Sequence, residues 1–171
     1  KNGLAEVSHQ FDIIAMVIPL FEKYDKSTLD NMISIMFLHD VVEDYPEKYN
    51  FLNLKKDFNN DIFDGVKRMT KTKSFTKTEK HYNRYYTKLS KNPIAVIAKL
   101  FDRVHNYQSM YVRDNKFKKK YFKEVETYLV PMAKTCRKQY PEHYSVITFL
   151  IYELKILTRL YIEIIDISEK D

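Results

Sequence analysis

Apolar residues recur along this chain three and four positions apart, with polar residues between them, which is the period of an amphipathic helix. From Phe11, the stripe Ile14, Ile18 and Phe21 predicts a first helix. Ser27 is expected to cap a second, with Asp30 at the capping-box position. That helix carries Met32, Ile35, Met36 and Leu38 and stops near Tyr45-Pro46. The looser stretch 47–60 holds a short helix around Leu54, and a further helix carries Ile62, Val66 and Met69. The polar segment KTKSFTKT reads as a loop, and Lys80 to Ser90 as an amphipathic, tyrosine-rich segment. Asn92-Pro93 opens a long helix through Ile94, Ile97, Leu100 and Val104. Two long helices, from about Asp114 to Gln139 and from Pro141 to Ile167, complete the chain.

Two glycines and five prolines among 171 residues leave little turn material, in keeping with helices joined by short connections. The expected fold is all-α, a compact helical bundle forming a single domain over residues 1–171. An apolar fraction of 44% and an aromatic fraction of 15% exclude wholesale disorder. The longest apolar stretches, such as VITFLIYELKIL, are interrupted by Glu153 and Lys155 and fall short of the roughly 20 residues of a membrane span. No signal-peptide pattern opens the chain. Cys136 is the single cysteine, so no internal disulfide forms. A reducing cytoplasm is the natural setting and a buried, inert thiol the expected state.

The net charge of +6 changes the picture less than its size suggests. A basic chain attracts nucleic acids, membranes and anionic metabolites alike. The run KFKKKYFK (Lys116 to Lys123) reads as a solvated helix face, with a nucleic-acid stripe as the alternative.

Candidate chemistry starts at FLHDVVEDYP, where His39, Asp40, Glu43 and Asp44 follow an apolar run. On a helix, residues four apart share a face, so His39 lies below Glu43 and Asp40 below Asp44. His39 and Asp40 are about 100° apart and both reach one point beyond the helix surface. An imidazole and a carboxylate are a start for a divalent metal, which needs further ligands. The alternative is a solvated helix C-terminus with a proline stop. In KLFDRVHNYQSM, Asp102 sits in an apolar helix beside Leu100, Phe101 and Val104, where a carboxylate requires a counter-charge. Asp102, Asn106 and Ser109 form one polar stripe, while Arg103 points elsewhere and is free to pair with a different acid. His9, in KNGLAEVSHQFD, lies about thirty residues before the His-Asp pair, and Asp102 about sixty after it.

That order resembles the HD-domain metal-dependent phosphohydrolases, and most closely the ppGpp hydrolase domain of the RelA/SpoT-type enzymes and the small alarmone hydrolases. The pieces that carry the likeness are KNG…H at Lys1 to His9, HDVVED at His39 to Asp44 and KLFDRVHN at Lys99 to Asn106. GVKRMTK (Gly65 to Lys71) and ETYLVPMAK (Glu126 to Lys134) follow in the same order as family segments, and the likeness is strongest over residues 1–155. The resemblance implies four metal ligands, His9, His39, Asp40 and Asp102, for one divalent ion, usually Mn2+. It implies that Glu43 and Asp44 orient and deprotonate the attacking water. Asn106 and Ser109 match a groove edge near the ribose, and Lys1 and Asn2 match the loop around the guanine base. Gln10 stands where the family has proline, and Leu4, Ala5 and Glu6 replace its Glu-Pro-Tyr. The implied activity is release of pyrophosphate from the 3′ position of (p)ppGpp, the alarmone of the stringent response. The same fold and metal also suit NADPH, another nucleotide, or a pyrophosphorylated tRNA 3′ end in an antitoxin role; a non-catalytic nucleotide-binding module is a further alternative. Lys67, Lys71, Lys73 and Lys77 are expected to offset substrate phosphate charge.

Overall fold

The computed structural model describes residues 3–20, 22–71 and 74–169, with 3–7 entering as backbone only. It is all-α: the described residues form helices and short turns, with no strand among them. The chain divides into two compact units, Lys1–Asp102 and Arg103–Asp171, and the boundary falls inside one helix. Among the described residues, no helix is long and apolar enough to cross a membrane.

The first unit contains α1 (Gly3–Val17), α2 (Lys26–Asp44), α3 (Phe51–Asp57), α4 (Asn60–Met69), α5 (Glu79–Leu89) and the start of α6 (Pro93–Gln108). Helix α2 is central: it packs on α1 and on α4, and α4 in turn meets α3 and α5. Its core draws on Ile13 and Val17 of α1, Met32, Ile35 and Met36 of α2, and Val66 and Met69 of α4. Gly65 lets α4 lie close against Ile35, whose Cγ1 would stand 2.7 Å from a Cβ at that position.

Two local expectations are corrected. The cap of α2 is Asp25 rather than Ser27: its side chain accepts from the Thr28 N–H at 3.0 Å and from the Thr28 hydroxyl at 2.7 Å. A carboxylate at this position also meets the positive end of the helix dipole, and hydrogen bonding to its ionised form holds the Asp25 carboxyl below the usual range. In α1 the buried stripe is Ile13 and Val17, not Ile14 and Ile18. The helix ends at Val17, because Pro19 disfavours helical backbone at the residue before it, and Ile18 stands 54% exposed in a 3-10 turn. Phe21 lies outside the described residues.

The second unit contains the remainder of α6, a 3-10 turn (Met110–Val112), α7 (Asn115–Glu124), α8 (Val130–Gln139) and α9 (Tyr144–Ser168). The expected helix from Asp114 to Gln139 is interrupted by a π-helical turn, Val125–Leu129. Pro131 supplies the reason. It has no N–H for the Thr127 carbonyl and its ring crowds that carbonyl, which a widened turn relieves. Helix α9 packs against α7 and α8. Tyr107 is fully buried here, stacked on Phe122 at 5.2 Å with its hydroxyl 2.5 Å from that of Thr158. Cys136 is buried, as expected. The lysine run on α7 is largely solvated, with Lys118 as the exception.

Candidate metal centre

All four expected ligands belong to the first unit, where they stand as two His-Asp pairs. His39, in the last turns of α2, is 1% exposed, and its Nε2 lies 3.1 Å from Asp40 Oδ1. His9 Nε2, on α1, lies 3.6 Å from Asp102 Oδ1 on α6. Among the described residues, no three His, Cys, Asp or Glu side chains converge as a ready set of ligands. What brings α1 to the first pair is Gln10, which is buried and donates from Nε2 to Asp40 Oδ2 at 3.1 Å.

The hydrogen bonding of His39 decides which of its nitrogens is available. Its Nδ1 is 2.9 Å from the Met36 carbonyl, which only accepts, so Nδ1 carries a proton. In the neutral ring, Nε2 then presents a lone pair. This is how a metal-ligating histidine is commonly oriented, with its other ring N–H given to a carbonyl. His39 Nε2 makes no hydrogen bond although buried, and Gln10 Oε1 is in the same condition. Two acceptors, Nε2 and Asp40 Oδ1, facing each other at 3.1 Å repel unless a proton or a cation stands with them. The donor types, two imidazoles and two carboxylates, are those that suit a divalent ion of intermediate hardness, and they stand here as two separate pairs.

Asp102 is 4% exposed, and the counter-charge its burial demands comes from Lys99, whose Nζ is 2.7 Å from Oδ2. Lysine three residues back along a helix is a partner that the sequence spacing itself offers. Arg103 turns to Glu124 at 3.1 Å and lies over the Tyr121 ring, so it does pair with a different acid.

Glu43 and Asp44 are exposed at the end of α2. Glu43 Oε2 accepts from the Lys71 N–H at 2.9 Å, a bond between α2 and the residue after the cap of α4. Asn106 and Ser109 fall in the second unit. Ser109 lies just beyond the end of α6, and its hydroxyl donates to the Asn106 carbonyl at 3.2 Å. Lys1, Asn2 and Lys73 lie outside the described residues. Lys67 and Lys71 line one cleft, and Lys77 is exposed.

No protein-family model matches the chain.

Proposed function

We propose that this chain is a metal-dependent phosphohydrolase that removes pyrophosphate from the 3′ position of ppGpp or pppGpp in a reducing cytoplasm. The observation that carries the proposal is the buried His39 Nε2, without a hydrogen bond, held against Asp40 by an Nδ1–H fixed on the Met36 carbonyl. His39, Asp40, His9 and Asp102 would hold one Mn2+ or a similar ion. Such an ion, when bound, polarises a phosphoryl oxygen and makes water a better nucleophile at neutral pH.

The remaining work falls to the chain's own carboxylates. Glu43 has one oxygen engaged by the Lys71 N–H, which orients the group and leaves the other oxygen to take a proton from the attacking water. The water oxygen bonds to the phosphorus attached to the ribose 3′ oxygen, that P–O bond breaks, and the 3′ oxygen leaves with a proton. The choice of a guanine alarmone rests on the motif likeness to the RelA/SpoT-type hydrolases.

A substrate panel with Mn2+ tests the proposal. It compares ppGpp, pppGpp, their adenine analogues, NADPH and pyrophosphorylated tRNA, following released pyrophosphate or phosphate. Pyrophosphate release fastest from the guanine alarmones is the expected result. Preference for NADPH or tRNA would keep the chemistry and replace the substrate. No turnover of any member, with nucleotide binding retained, would make the chain a binding module.

A further inference from the structure

The ligand-type side chains of the first unit are held by different neighbours. The Met36 carbonyl fixes the His39 ring at 2.9 Å, and the Lys99 ammonium fixes the Asp102 carboxylate at 2.7 Å. The Asp40 side chain is 40% exposed, and its anchor comes from α1: the buried Gln10 amide donates to Oδ2 at 3.1 Å. Outer partners of this kind orient the groups that hold a metal and raise its affinity. A carboxylate oxygen accepts only, so the donation also sets the amide, with its nitrogen on Asp40 and Oε1 turned away from it. Oδ1 is then the Asp40 oxygen that stands against His39 Nε2, at 3.1 Å.

Both residues that touch Asp40 keep a buried acceptor without a hydrogen bond, Nε2 of His39 and Oε1 of Gln10. Gln10 is 7% exposed, so bulk water does not serve its carbonyl, and a buried acceptor in that condition is costly until a donor reaches it. The imidazole lone pair calls for a positive centre and the amide oxygen for a hydrogen. A hydrated divalent ion supplies both, charge to the one and water hydrogens to the other. Gln10 also follows His9 directly on α1, and neighbours on a helix point about 100° apart. One turn of α1 therefore reaches Asp102 through His9 and Asp40 through Gln10. The resembled hydrolases have proline at this position, which has no amide hydrogen to give, so the tie to Asp40 belongs to this chain.

We propose, resting on the metal-dependent reading above, that Gln10 is a positioning residue of the metal centre. It holds Asp40 with Oδ1 towards His39 and ties that pair to the turn of α1 that carries His9, so that the two His-Asp pairs take up one ion together.

Titration of the full chain with Mn2+, following the electron paramagnetic resonance signal of the free ion, tests this without reference to turnover. Gln10→Met keeps the volume and helix preference of the side chain while removing both amide groups. It should weaken Mn2+ binding about 10- to 100-fold, the usual scale for losing the outer partner of a metal ligand. The thermal midpoint in EDTA should change little, because the metal-free chain loses an unmatched carbonyl together with the bond to Asp40. Phe11→Ala is the packing control. It removes the edge contact of Phe11 with Phe37, at 5.7 Å, which also joins α1 to α2. This variant should lower the midpoint in EDTA and leave the Mn2+ affinity unchanged. Equal Mn2+ affinity in wild type and Gln10→Met would overturn the assignment and leave the hydrolase reading standing. Parallel losses of midpoint and affinity in both variants would overturn it too, by making Gln10 a packing contact. A wild-type chain that binds no Mn2+ would overturn the metal reading itself, and this assignment with it.

Discussion

The backbone N–H of Lys71 donates to Glu43 Oε2 at 2.9 Å, across 28 positions of sequence. Through Lys71 the acid is joined to the aromatic cage of Phe75, Tyr82 and Tyr85, because the same residue places its ammonium over those rings. One carboxylate oxygen is thereby committed to structure, and a substitution at Glu43 has to be judged on both roles.

Glu43→Gln retains an acceptor oxygen for the Lys71 N–H but has no group to take a proton from water. Turnover of ppGpp at saturating substrate is expected to fall by about 10²- to 10⁴-fold, with the thermal midpoint little changed. Unaltered turnover would remove Glu43 from the chemistry and leave it a structural tie.

Elemental analysis of protein loaded with Mn2+ and desalted should find one ion per chain, and nearly none in His39→Ala or Asp102→Ala. If wild type carries no metal, the hydrolase proposal loses its main support.

Gly65→Ala places a methyl group against the Ile35 side chain in the packed α2–α4 contact. Overpacking of this kind should cost about 1–3 kcal/mol in urea unfolding. Ile35→Val shortens the offending chain, so the double variant should be more stable than the sum of the single effects. Strict additivity would place the strain elsewhere.

Burial, with a smaller contribution from the Glu142 charge, pushes the Cys136 thiol up to about 11. The folded chain therefore holds this proton more tightly than the unfolded one, whose thiol titrates in the ordinary range. The associated stability is present below about pH 9 and is lost as pH rises towards 11. Urea midpoints of wild type should decline over this window more steeply than those of Cys136→Ala, and alkylation of the folded protein at pH 8 should be slow beside that in urea. Parallel declines would show that other groups control the alkaline limb.

Helix existence was legible where apolar period and end signals agreed. Pro93 after Asn92, Asp114 as a side-chain cap and the Pro141 turn mark boundaries that the structure reproduces. Such signals act between covalent neighbours, so the sequence carries them directly. Where two signals of one kind lay close together, the sequence did not choose. Asp25 and Ser27 both cap helices well, and Asp25 is the residue used. Ile14 and Ile18 repeat at the same spacing as Ile13 and Val17, and the packing of α1 on α2 selects the second pair.

By itself, then, the sequence determined an all-α chain and the placing of His39, Asp40, Glu43 and Asp44 on one helix, because three- and four-residue periodicity is a local property. Only the tertiary structure decided that Gln10 donates to Asp40, that His9 stands beside Asp102, and that Glu43 receives the Lys71 N–H. It also gathered four cations of α4, α5 and their connecting segment around one cleft. These contacts join residues up to about ninety positions apart, and their energy depends on distance in space. They exist because burial of Ile13, Val17, Ile35, Met36 and Val66 brings the helices together, which no local pattern specifies.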